Sequence, residues 1–251
     1  MNKTFTLLNK LTNPIKILPS ITDALFKDNY YLKNQPIQLS GQINDWDALN
    51  KWQDMEWWIK HHGTTLVPVE LDRYDKIDSK TELPLTLYIK LFMQSNLKAQ
   101  LKDIPNYGYL AQYPLLNFIP QLQQDIKIPT LLNCGRVGFE QMMLWMGPEN
   151  TITPIHFDPY ENLFVQIKGS KYLRLYNNTY KDRLYPFKEK YLSNTSRIDP
   201  ENLDVSLFPN AVDVPYIDTI INEGDMLYLP KGWWHYVKAL SPSISLSIWW
   251  N

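Results

Sequence analysis

The sequence predicts a mostly β fold with flanking helices, organised around a closed barrel or jelly roll. Two observations predict it. From Gln141 onward the chain breaks into eight short β-rich runs separated by turn residues, whereas before Gln141 helical and extended segments alternate. A length of 251 residues with 44% hydrophobic content is enough for one sizeable core, so a single domain over 1–251 is expected. Residues 1–140 would form a mixed α/β flank, and 141–251 the β core with an insertion at 180–215.

In the flank, Ser20 with Asp23 marks a helix start. Trp46 to Lys60 has helical length and runs into His61-His62-Gly63, where glycine suits a terminator. Strands are expected at Pro36 to Ser40 and Leu66 to Leu71, and helices around Thr86 to Gln94 and Phe118 to Asp125. The core runs are Met142 to Met146, Thr153 to Phe157, Asn162 to Lys168, Lys171 to Tyr176, Ile217 to Asn222, Met226 to Leu229, His235 to Leu240 and Ser243 to Trp250. Gly169-Ser170 fits a two-residue hairpin, and Glu223-Gly224-Asp225 a further turn. The Asn-, Pro- and Lys-rich stretch from Tyr180 to Pro215 is long for a compact β domain, which points to a functional or covering element.

Charge and composition exclude several classes. A formal net charge of −1 and the lack of any long Lys/Arg block argue against nucleic acid or an anionic membrane as partner. One cysteine, Cys134, excludes an internal disulfide framework or a cysteine-rich zinc module and fits a reducing compartment. Met1 to Ser20 lacks the uninterrupted apolar core of an export signal, and no apolar run reaches the ~18 residues of a spanning helix. An intracellular protein without a membrane span is expected, in cytoplasm or nucleus if the cell is eukaryotic. The nine Trp and sixteen Tyr are read first as packing.

The chemistry starts at His156-Phe157-Asp158. Residues two apart on a strand leave the same face, so this imidazole and carboxylate can share one ion. His235, carried into a later strand by Pro230-Lys231-Gly232-Trp233-Trp234, offers a third ligand. Two histidines and a carboxylate form the facial set of non-haem iron(II) oxygenases, which leaves coordination positions open. Alone, a His-x-Asp triplet is a weak signal. Here it follows Thr153-Pro154 at a strand start, and the chain's fourth and last histidine closes the β-rich unit. His61 and His62 have a simpler reading, as residues of a helix's last turn, where the dipole favours them.

Several ordered motifs carry a resemblance: Gly108-Tyr109-Leu110-Ala111-Gln112, the run from His156-Phe157-Asp158-Pro159-Tyr160 to Gly169-Ser170-Lys171-Tyr172, Trp234-His235-Tyr236-Val237, and Trp249-Trp250. Together they resemble the small JmjC hydroxylases, a cupin-like family with a double-stranded β-helix, and most closely the Jumonji domain-containing protein five group of protein arginyl hydroxylases, earlier proposed as lysine demethylases. The resemblance spans roughly residue 30 to the end and implies iron(II) as cofactor, with 2-oxoglutarate and O2 as cosubstrates. It implies that Lys171 pairs with the distal carboxylate of 2-oxoglutarate, with Tyr109, Thr153 and Asn162 adding hydrogen bonds and Trp249 lining the pocket. A buried dicarboxylate does need a cation and neutral donors. It further implies substrate contacts at Glu70, Gln112 and Trp145. A carboxylate beside an aromatic plane suits a guanidinium, and so an arginine-containing protein or peptide.

Read without the resemblance, Lys171 is a solvated strand lysine, Glu70 a strand-end surface residue and Trp145 a core aromatic. Other functions compete with arginine hydroxylation: histone lysine demethylation, hydroxylation of a tRNA base, or a catalytically silent cupin-like binding module. The near-neutral charge disfavours tRNA, because phosphate contacts dominate such binding. The intact ligand set disfavours the silent module. Related hydroxylases often dimerise through helices beyond the last strand, and Asn251 follows that strand directly, so a monomer is expected.

Overall fold

Sequence-local signals set the flank, and two capping residues show how. In the computed structural model, which describes residues 11–71, 80–94, 105, 107–135 and 139–251, the flank begins with β1 (Ile17–Leu18) and α1 (Asp23–Phe26). Thr22, rather than Ser20, caps α1 by accepting a hydrogen bond from the Leu25 amide. After β2 (Ile37–Leu39), the helical stretch expected from Trp46 to Lys60 divides into α2 (Asp47–Lys51) and α3 (Met55–His62). The break has a local cause: Asp54 accepts from the Glu56 amide at 2.9 Å and restarts the helix after Trp52. Next come β3 (Leu66–Glu70), β4 (Lys80–Pro84) and α4 (Leu85–Tyr88), which widens into a π-type turn over Ile89–Met93. β5 (Leu110–Tyr113) leads to α5 (Leu115–Phe118), and the helix expected at Phe118 to Asp125 is a tighter 3-10 segment over Pro120–Asp125, where Pro120 lacks an amide to continue α5.

The C-terminal strands are β6 (Phe139–Gly147), β7 (Ile152–Phe157), β8 (Glu161–Lys168), β9 (Lys171–Tyr176), β10 (Ile217–Ile221), β11 (Met226–Leu229), β12 (Trp234–Ala239) and β13 (Ser243–Trp250). A seven-stranded sheet has the order β1-β2-β11-β8-β13-β6-β5, a four-stranded sheet the order β10-β9-β12-β7, and β3 pairs with β4. All pairs except β1–β2 are antiparallel. This is the jelly-roll arrangement expected.

From β6 to β13 every successive pair of strands except β9 and β10 switches sheets, which corrects one expectation. β8 and β9 are not paired; Gly169-Ser170 is a crossing turn from the larger sheet to the smaller rather than a hairpin within one sheet. A two-residue turn can do this because Gly169 adopts φ +69°, and a Cβ there would lie 2.4 Å from the Pro242 carbonyl oxygen. Gly169→Ala is expected to cost about 1–3 kcal/mol of stability, read as a lowered denaturant midpoint with an unchanged m-value.

Three apolar clusters hold these layers. Leu163, Val165, Ile244, Leu246 and Tyr228 face outward from the larger sheet onto Phe26, Trp52, Trp58 and Tyr88 of the flank. Fully burying such a side chain contributes roughly 1.5–3 kcal/mol. Between the sheets, Phe164, Leu227 and Leu229 meet Leu173, Leu175 and Val237. The outer face of the smaller sheet carries Ile155, Tyr172, Tyr176, Trp234 and Tyr236, covered by Leu184, Ile198 and Val214 of the 177–216 connection. The long connection is therefore a cover. It is also stitched to the edge of β7: the Ser196 amide donates to the Ile155 carbonyl at 2.8 Å, and the Phe157 amide to the Asn194 carbonyl at 3.0 Å.

Candidate metal centre and its clefts

Pairing of β7 with β12 sets His156 directly opposite His235, and the two rings lie 4.2 Å apart between centroids. Asp158 follows two residues on, just past the end of β7, where its carbonyl oxygen accepts from the Gly232 amide at 3.1 Å. His156 Nε2 is 3.7 Å from Asp158 Oδ1 and His235 Nε2 is 3.8 Å from Oδ2. One ligand atom from each of the three residues lies within 4.8 Å of the others.

The second nitrogen of each ring decides which atom is free. His156 Nδ1 lies 2.9 Å from the Pro154 carbonyl oxygen, and His235 Nδ1 lies 3.1 Å from that of Trp233. A carbonyl only accepts, so each Nδ1 carries the proton, leaving both Nε2 lone pairs aimed at the shared space. Burial, reinforced by the neighbouring His156, pushes His235 down to about 4. A neutral imidazole is the form that binds metal. The donor set thus fits iron(II), with carboxylate and imidazoles arranged around one point.

A β-bulge shapes the next layer. His235 pairs with His156 and Val237 with Thr153, so Pro154 and Ile155 together oppose Tyr236. Simple alternation would place Thr153 and His156, three apart, on opposite faces; the bulge turns both inward. An inner cleft is consequently lined by the three candidate ligands and by Tyr109, Thr153, Asn162, Phe164, Lys171 and Ser247, among others.

Lys171 defines this cleft. The residue is 1% exposed. Its ammonium donates to the Tyr109 hydroxyl at 3.4 Å and faces the rings of Tyr109 and Phe164, and among the described residues no carboxylate pairs with it. Burial pushes its pKa down to about 7 and raises the Tyr109 phenol well above its ordinary value. Asn162 Oδ1 is buried nearby without a hydrogen-bond partner. A buried cation with unfilled neutral groups around it fits a dianion such as 2-oxoglutarate.

The inner cleft opens past Tyr109, Trp145, Thr153 and His156 into a wider outer cleft of about 450 Å³. Glu70, Gln112 and Trp145 all line it. Glu70 is locked to Tyr109 by reciprocal backbone hydrogen bonds of 2.9 Å, and its carboxylate pairs with Lys80 at 3.0 Å. Gln112 has φ +47° beside a register shift in β5, a left-handed conformation that costs a non-glycine residue and is kept where surroundings impose it. Trp145 is 9% exposed and its indole Nε1 has no partner. Trp249 departs from expectation: it lines neither cleft, stacking on Tyr160 at 5.4 Å beside Asn162. Its position at the rim of β13, one strand step beyond Ser247, is the physical reason.

Sequence reasoning missed Ser247, Phe164 and Val237 in the inner cleft, and Leu192, Asn194 and Thr195 in the outer one. Ser243, Ser245 and Ser247 alternating with Ile244, Leu246 and Ile248 was a legible signal of a polar inward face. The loop residues carried none. The histidine pair at 61–62 packs around Trp57, away from the centre, in keeping with the helix-end reading.

A cupin-like domain model matches residues 23–251 of this chain. The chain belongs to the JmjC family of cupin-like oxygenases. Members of this family depend on iron(II) and 2-oxoglutarate, and the His156, Asp158 and His235 cluster supplies the donor set that such dependence needs. Among JmjC relatives, the chain is 37% identical over 227 residues to lysine-specific demethylase JMJ30 of Arabidopsis thaliana, covering 90% of this chain and 52% of that protein. It is 36% identical to lysine-specific demethylase 8 of Xenopus tropicalis, over 90% of this chain and 50% of the relative. It is 35% identical to Jumonji C domain-containing protein 5 of Drosophila melanogaster, over 93% of this chain and 58% of the relative. The chain spans about half the length of the curated relatives it matches. Among the described residues no helix is long and apolar enough to cross a membrane.

Proposed function

We propose that this chain is an iron(II)- and 2-oxoglutarate-dependent oxygenase that hydroxylates a protein side chain, arginine being the residue its outer cleft suits best. The observation that carries the oxygenase reading is Lys171, a buried cation without a paired carboxylate among the described residues, set in the same cleft as a two-histidine, one-carboxylate cluster. When bound, iron(II) and 2-oxoglutarate together supply the oxidising power, by reducing O2 as the oxoacid loses carbon dioxide.

The protein's own groups do the rest. His156, Asp158 and His235 would hold the metal, and the Nδ1–carbonyl bonds of both imidazoles fix their tautomers. Lys171 would neutralise the distal carboxylate of 2-oxoglutarate, with the Tyr109, Thr153 and Asn162 side chains placed around the same space for hydrogen bonding. Phe164 and Val237 exclude water from that end. In the outer cleft, Glu70 and the Trp145 ring offer a guanidinium a carboxylate and an aromatic face, and Gln112 a polar contact.

Glu70→Gln removes the charge and keeps the shape. It is expected to raise the KM for an arginine peptide roughly 10–100-fold, the worth of a charge-assisted hydrogen bond, and to leave the KM for 2-oxoglutarate unchanged. Mass spectrometry of the peptide product tests the substrate reading, with a gain of one oxygen atom on arginine expected. A lysine side chain is the second reading, favoured by the names of the relatives and by Glu70 already accepting the ammonium of Lys80. Loss of a methyl group from lysine, with arginine untouched, would replace the first reading by the second.

A further inference from the structure

The smaller sheet has a second cavity, on its opposite face from the metal centre. Strand alternation along β9 sends Lys171, Leu173 and Leu175 inward and Tyr172, Arg174 and Tyr176 outward, beneath the 177–216 cover. A cavity of about 80 Å³ lies there between sheet and cover. Leu184, Ile198, Leu203 and Val214 line its apolar part, and Arg174, Tyr176 and Tyr216 form its polar end.

Arg174 is 8% exposed. Its Nε donates to the Tyr172 hydroxyl at 3.0 Å, Nη1 donates to the Pro200 carbonyl oxygen at 3.1 Å, and the guanidinium stacks 4.4 Å above the Tyr216 ring. Among the described residues no carboxylate contacts it directly. The nearest acid in this network, Asp218, reaches it only through Tyr172, at 3.4 Å from that hydroxyl, and accepts from the Thr12 and Asn13 amides besides. Lys238, on the same outer face, is already matched by Glu201 at 2.8 Å. A guanidinium carries five N–H donors, and a buried one ordinarily meets an anion.

We propose that this cavity is a binding site for a small apolar carboxylate, with the acid on Arg174 and the hydrocarbon against Leu184, Ile198, Leu203 and Val214. The site is distinct from the metal centre, and its occupant braces the cover against β9 and Ile155. A carboxylate headgroup supplies two acceptors for a planar fork, which a chloride or an alcohol does not. The remaining walls offer no partner to a second charge, so a monocarboxylate fits and a dicarboxylate such as 2-oxoglutarate does not.

Hexanoate is the probe, titrated by calorimetry into the full chain saturated with 2-oxoglutarate and a redox-inert divalent metal, so that the inner cleft is occupied. Saturable 1:1 binding with a Kd of about 1 mM or tighter is expected, within reach of so few ligand atoms. Hexanol is expected to bind at least about tenfold more weakly. Ala211→Phe, which fills the cavity and leaves Arg174 in place, should weaken hexanoate about tenfold or more while 2-oxoglutarate turnover persists. Arg174→Met should weaken hexanoate about tenfold or more. Arg174→Lys, which keeps the charge and loses the fork, serves where Arg174→Met does not fold and should weaken binding likewise. Absence of saturation, equal affinity for hexanol, or full binding by Ala211→Phe would overturn the proposal. Binding that disappears in Lys171→Met and survives in Ala211→Phe would assign hexanoate to the inner cleft and equally overturn it.

Discussion

Asp158→Ala is expected to abolish measurable iron(II) binding and 2-oxoglutarate turnover while leaving the fold intact. The carboxylate reaches both imidazoles, at 3.7 Å and 3.8 Å, and no other acid joins the cluster among the described residues. Removing an outer-shell partner of a metal ligand typically costs about 10–100-fold in affinity, so removing the only charged ligand should exceed that range. Asp158 stands at the end of β7 with a partly exposed side chain, and its structural tie is made by the backbone carbonyl to Gly232. Alanine keeps that tie. The thermal midpoint without metal should therefore stay close to wild type, and the midpoint gained on adding iron(II) anaerobically should vanish, since stabilisation by a ligand requires its binding. A metal-induced shift retained by Asp158→Ala would place the ion elsewhere.

Lys171→Met should separate stability from function. In the protein without cosubstrate, burial depresses the Lys171 pKa to about 7 from the usual 10.5. A lysine whose folded pKa is depressed binds its proton more weakly when folded. Its charge is therefore a cost that is full below about pH 7 and is relieved as pH rises toward 10.5. At acid to neutral pH the cost is on the order of a few kcal/mol. Lys171→Met keeps the length and deletes the charge, so the variant without cosubstrate should unfold at higher denaturant than wild type near pH 6, with the difference shrinking above pH 9. The KM for 2-oxoglutarate should rise by about a hundredfold or more, because an unpaired carboxylate in the cleft loses a charge-assisted partner. In wild type, cosubstrate affinity should also fall above about pH 7, by up to tenfold per pH unit, since binding then requires Lys171 to take up a proton. A variant both less stable and normal in KM would remove Lys171 from the site.

The two residues of those experiments differ in how they could be found. His156 and Asp158 are two apart on one strand, a spacing that strand geometry converts directly into a shared face, and His235 stood at the start of a later β run. Lys171 could be assigned only through resemblance, because nothing local distinguishes a strand lysine that points between two sheets from one that points to water. Thr153 escaped alternation for a different reason. The bulge opposite Tyr236 shifts its phase, and a bulge leaves little trace in composition. The β runs themselves were legible because apolar residues recur with turn residues between them, yet which sheet each strand joins was not: Gly169-Ser170 suits a hairpin locally and serves as a crossing turn because Lys171 onward pairs with β10 and β12. Short edge elements, β4 and β5 among them, have too few residues to show a period. Asn194 and Thr195 reach the outer cleft through backbone pairing of a long connection with β7, a tertiary contact that no local pattern encodes.

Succinate production from 2-oxoglutarate by the wild-type chain and by His156→Ala, measured with iron(II) in air and with an arginine peptide present, decides whether the chain is an iron(II)- and 2-oxoglutarate-dependent oxygenase. Iron-dependent succinate formation by wild type, stimulated by the peptide, is expected, with none above background from His156→Ala. Succinate formation that persists in His156→Ala, or a wild type that makes none with metal and cosubstrate bound, would contradict that reading.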